Sequence, residues 1–143
     1  MNKLPQIKVS FVVEGKEFEV EQLTKEIDIL PTETRGMDDW PEAIKSNTNL
    51  PEDLHPRCVW CICKEDLCMQ IEIPIQKIIM LLKGKEQKLL EFCKKRNLKK
   101  FISIVIHGDV MNLPEIILSS DTVSYLGRLE VEIGFDIYIY KIK

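Results

Sequence analysis

A chain of 143 residues, 45% apolar and 30% charged, suits one domain that buries about 70% of its unfolded surface without a metal or disulfide staple. Its formal charge of -3 argues against a dedicated nucleic-acid binder, which carries a marked basic excess. Residues 1–10 lack the apolar core of a signal peptide, and no apolar run approaches the ~18 residues of a membrane span.

In chain order, Ile7, Val9, Phe11 and Val13 alternate with polar or small residues and predict a half-buried strand. A turn follows at Glu14–Glu17, and Phe18 and Val20 are placed at the sheet edge. Leu23, Ile27 and Leu30 have helical spacing, so a short helix is expected over Glu21–Leu30, ending before Pro31. Four prolines (Pro31, Pro41, Pro51 and Pro56) mark residues 31–56 as a long loop. A compact domain seldom keeps such a length unstructured without a functional reason.

A strand resumes over Arg57–Lys64. Ile73-Pro74 opens a helix whose face is Ile75, Ile78, Ile79 and Leu82. Gly84 interrupts it, and Leu89, Leu90 and Cys93 continue as a second helix or a bent first one. Phe101–Ile106 reads as an apolar strand, His107-Gly108-Asp109 as a turn, and Ile116–Leu118 as a short antiparallel partner. Ser119 or Ser120 caps a helix carrying Val123, Leu126 and Leu129. The run Phe135–Ile142 is a strand in which positions 135, 137 and 139 are purely apolar. It is expected to lie inside the sheet with one face fully buried. The sum is a single α+β domain over residues 1–143, with one mixed or antiparallel sheet of four or five strands and helices mainly on one face.

The charges are segregated. Ten acids and three bases fall between Glu14 and Glu42, and nine bases and two acids between Lys77 and Lys100. The basic stretch lacks the interleaved aromatics that base stacking needs. His55, Cys58, Cys61 and Cys63 have metal-ligand chemistry, and Cys58 and Cys61 have C-x-x-C spacing. On a strand, however, residues three apart point to opposite faces. Five cysteines, an odd number, without an export signal fit free thiols in a reducing cytoplasm. Neither a nucleophile elbow nor a phosphate-binding glycine loop occurs.

The order of the segments resembles a bacterial family known only as a domain of unknown function, number 4279. The residues that carry the likeness are Leu30-Pro31-Thr32-Glu33-Thr34-Arg35-Gly36, then Val59-Trp60 on a strand, a helical pair, and Phe135-Asp136-Ile137-Tyr138 at the end. The resemblance spans nearly the whole chain. It implies the α+β fold and a role for the Thr32–Gly36 loop, but no activity, cofactor or catalytic residue.

The reading that follows is a non-enzymatic cytoplasmic protein with a protein partner, regulatory or, by analogy, of immunity type. No cofactor, membrane or nucleic acid is expected. Thr32, Thr34, Arg35, Trp40 and Asp136 are the candidate binding residues. The first alternative is a small-ligand or enzymatic site, in which Thr32, Thr34, Arg35 and Asp136 receive a carboxylate or phosphate. The second is a zinc site at His55, Cys58, Cys61 and Cys63.

Overall fold

The computed structural model of the protein describes residues 3–141. Five strands and five helices follow one another as β1 (Gln6–Gly15), α1 (Val20–Ile27), β2 (Glu33–Arg35), α2 (Glu42–Lys45), β3 (Cys58–Leu67), α3 (Glu72–Leu82), α4 (Glu86–Arg96), β4 (Lys99–Asp109), α5 (Ser120–Arg128) and β5 (Glu132–Tyr140). They build one mixed sheet in the order β2-β3-β1-β4-β5. All pairings are antiparallel except that of β4 with β5, which is parallel.

Alternation decides which face is covered. Ile7, Val9, Phe11 and Val13 of β1, Trp60 and Ile62 of β3, and Ile102, Ile104 and Ile106 of β4 all point to one side and are buried. Against them pack Ile75, Ile78, Ile79 and Leu82 of α3, then Leu89, Phe92 and Cys93 of α4, and Val20, Leu23 and Ile27 of α1. Each such aliphatic side chain stabilises by roughly 1.5–3 kcal/mol when fully buried, so this single helical layer fixes the register of the three central strands.

The helix ends are set by backbone chemistry. Asp28 (φ 53°) and Asn97 (φ 54°) take left-handed conformations that stop α1 and α4. Gly84 (φ 85°) separates α3 from α4, which are two distinct helices. Ser119 Oγ accepts the Thr122 N–H at 3.3 Å and caps α5.

The expected single α+β sheet with helices on one face is found, with several local corrections. Phe18 is a core residue, edge-on to Phe92 at 6.3 Å, and Val20 begins α1; neither extends the sheet. The helix ends at Ile27 and leaves Leu30 86% exposed. Residues 31–56 carry β2, α2 and two single 3-10 turns at Met37–Asp39 and Glu52–Leu54. His107-Gly108-Asp109 lies within β4 and is not a turn. Ile116–Leu118 is no strand: Glu115 makes only a bridge to Gln70, and Ile116 and Ile117 stay exposed. The partner of β4 on that side is β5.

The largest correction concerns β5. Among the described residues it is an edge strand paired on one flank only, and Phe135, Ile137 and Ile139 remain 43%, 46% and 52% exposed. Ile142, the last residue of the expected terminal strand, lies outside the described residues.

Candidate interaction surface

The two edges of the sheet differ in kind. β2 is three residues long and carries Glu33 and Arg35, the charged and abbreviated edge that resists pairing with other chains. β5 is nine residues long, carries Glu132 and Asp136 as its only charges, and has no proline.

Backbone geometry shows where the free hydrogen-bonding groups of β5 point. Tyr140 O accepts the Val110 N–H at 3.2 Å, so Tyr140 faces β4. Strand alternation then turns the N–H and C=O groups of Tyr138, Asp136 and Gly134 toward β4 as well. The same groups of Ile133, Phe135, Ile137 and Ile139 face away from the sheet. Among the described residues no strand lies beyond β5 to meet them.

The side chains divide likewise. Ile133, Phe135 and Ile137 sit opposite Ile102, Ile104 and Ile106, on the helix-covered side. There they extend the core beyond the helices, which leave all three over a third exposed. On the other face His107 stacks on Tyr138 at 4.8 Å and on Tyr140 at 5.9 Å. The Tyr140 hydroxyl hydrogen-bonds His107 Nδ1 at 2.8 Å. These rings stiffen the end of β5, a contact that turn chemistry at His107-Gly108-Asp109 does not anticipate.

The residues of the Thr32–Trp40 segment gather at the opposite edge. Thr32 Oγ1 accepts the Cys63 N–H at 2.9 Å, and the Thr32 N–H bonds Cys61 O at 2.8 Å, tying the segment to β3. The Arg35 guanidinium lies over the Trp40 ring at 4.0 Å, and Trp40 donates its indole N–H to Arg57 O at 2.9 Å. Trp40 thus pins the loop. The cleft beside Thr34 is lined by Glu17, Glu19, Glu21, Asp38 and Asp39, carboxylates that repel an anionic ligand. Asp136 does not join this group: β3, β1 and β4 stand between β2 and β5, so Thr32, Thr34 and Arg35 share one edge and Asp136 lies on the other.

The cysteines follow strand alternation. Cys58 lies on the helix side, whereas Cys61 and Cys63 share the other face with their sulfurs 3.9 Å apart. Burial, reinforced by the neighbouring Cys63 thiol, pushes the Cys61 thiol up to about 12. His55 bonds the Leu50 carbonyl through Nε2 at 2.7 Å and has Glu52 beside Nδ1 at 3.3 Å. Among the described residues, no group of three or more His, Cys, Asp or Glu side chains is placed to hold a metal ion.

The acidic and basic stretches have structural duties as well. Lys94, Lys95 and Arg96 occupy the last turn of α4, where cations complement the helix dipole. Arg96 lies over the Phe92 ring at 3.7 Å. No helix among the described residues is long and apolar enough to cross a membrane. Comparison with curated proteins and with solved structures gave no match. The family model described as "Domain of unknown function (DUF4279)" matches residues 5–140, which include every strand and helix above, and the chain therefore belongs to the DUF4279 family.

Proposed function

We propose that the protein is a non-enzymatic interaction domain, working in the cytoplasm, that presents β5 to a protein partner. The observation that carries this reading is the nine-residue apolar edge strand with an outward row of unpaired backbone groups. An edge of this kind takes up an added strand, with main-chain hydrogen bonds for affinity and alternate side chains for specificity. Ile133, Phe135, Ile137 and Ile139 supply the apolar contacts, and Asp136 supplies the single charge near the middle of the strand. The five free thiols fit a reducing compartment.

The test is capture from the source cell's lysate with the intact chain and with Ile137→Lys, beside Trp40→Ala. Ile137→Lys is expected to lose the specific partner while Trp40→Ala keeps it. Equal capture by all three chains would contradict the assignment of β5.

A further inference from the structure

We infer that the occupant of the β5 edge is a second copy of this chain, joined by antiparallel pairing of β5 with β5 about a two-fold axis through Ile137. This rests on the reading of β5 as an interaction strand and names its partner.

Area supports it. Ile133, Phe135, Ile137, Tyr138, Ile139 and Tyr140 are 38–54% exposed. With about 150–250 Å² for each aromatic ring and somewhat less for each isoleucine, they expose at most on the order of 500 Å² per protomer. Two copies therefore bring together at most on the order of 1,000 Å², the low end of the range for specific association and that of a reversible dimer. An isologous joint also pairs both free edges at once. The resulting ten-stranded sheet would end at both sides in the short, charged β2.

Charge selects the register. A two-fold axis normal to the sheet must pass through a residue that faces itself, so that facing side chains share a side. Centring on Asp136, the middle of β5, sets two carboxylates face to face, which is repulsive. Centring on Phe135 leaves Ile139 and Tyr140, the most exposed of the six, uncovered. Centring on Ile137 places Asp136 against Tyr138 and Phe135 against Ile139. Ile137 then meets its own copy, and Tyr140 lies across from Gly134. No atom lies within 4 Å of where a Gly134 side chain would begin, so the Tyr140 ring of the partner copy has room above that bare backbone. Only Glu132 and Ile133 fall toward the ends. In this register the outward-facing backbone groups of Phe135, Ile137 and Ile139 form the hydrogen-bonded pairs.

Sedimentation velocity of the intact chain across a concentration series tests the proposal, with Ile137→Lys and a remote control, Leu30→Lys, checked for folding by circular dichroism. The wild type and Leu30→Lys are expected to dimerise. Ile137→Lys, which sets two ammonium groups against each other, should weaken the dimer by about 100-fold or more. Ile137→Cys should give a disulfide-linked dimer on mild oxidation that neither the wild type nor Ile139→Cys gives, because only position 137 faces itself. A dimer that survives Ile137→Lys, or a cross-link formed equally through Ile139→Cys, would overturn the self-pairing. A wild type monomeric at every concentration would overturn the second copy as occupant, and the lysate capture would then decide whether β5 binds another protein.

Discussion

Trp60 donates its indole N–H to Thr24 Oγ1 at 2.9 Å, joining the fully buried ring of β3 to the middle of α1. This is a polar contact inside an otherwise apolar layer, and it fixes how α1 lies on the sheet. Thr24→Val would leave the indole N–H unsatisfied and is expected to cost about 1–3 kcal/mol. Trp60→Phe removes the donor together with ring volume. A double-mutant cycle by urea denaturation should show the pair destabilised by less than the sum of the single variants; strict additivity would deny the bond a role.

The thiols should react in two classes. Burial raises the Cys93 thiol to about 11 and contributes most to raising Cys61 to about 12. Cys58 is also buried, while Cys63 and Cys68 are half-buried. Iodoacetamide at neutral pH is expected to modify Cys63 and Cys68 first, with Cys58, Cys61 and Cys93 reached only after denaturation. Mass spectrometry of the labelled peptides gives the order, and early loss of Cys61 or Cys93 would contradict it.

Glu86 links α4 to α5. Its own backbone N–H does most to hold its carboxyl below the usual 4.5; burial opposes this, and the Tyr125 hydroxyl (2.9 Å) and the Gly84 N–H (2.8 Å) add to the lowering. A carboxylate with a depressed folded pKa contributes stability above its unfolded value and loses it as pH falls through the folded one. Glu86→Gln should therefore lower the urea midpoint at neutral pH, and the two midpoints should converge only as pH falls below the ordinary carboxylate range. Tyr125→Phe should reproduce part of the effect. A gap that stays constant into acid would exclude the carboxylate as its source.

Trp40 and Arg35 stabilise their loop locally. A cation–π contact of this kind is worth about 0.5–2 kcal/mol, and the indole bond to Arg57 O anchors the far end. Trp40→Ala is expected to speed proteolytic cleavage within residues 36–57 while changing global stability little, as limited proteolysis and thermal denaturation would show together. Unchanged cleavage would mean that the ring does not hold the loop.

The central strands are legible in the sequence because alternation with a period of two survives wherever one face is covered, as at Ile7, Val9, Phe11 and Val13. The helical pair is legible from Ile75, Ile78, Ile79 and Leu82 and from the break at Gly84. β2 escapes because none of its three residues is buried, so it leaves no apolar pattern. Ile116–Leu118 misleads because three apolar residues in a row look the same on a strand and on an exposed connection. β5 teaches the most: Phe135, Ile137 and Ile139 announce a strand with an apolar face. Nothing in that pattern says whether the chain's own helices or another surface covers it. Asp136 stands out in the sequence, but its neighbours in space are on β4, away from Thr32 and Arg35.

Residue-resolved amide hydrogen exchange along β5, at low and high protein concentration, tests the central claim most directly. The amides of Gly134, Asp136 and Tyr138 face β4 and should be protected throughout. Those of Phe135, Ile137 and Ile139 should exchange fast when dilute and become protected on association, and Ile137→Lys should abolish that gain. Fast exchange of the three odd-numbered amides under every condition, including with any captured partner, would contradict the assignment of β5 as the binding edge.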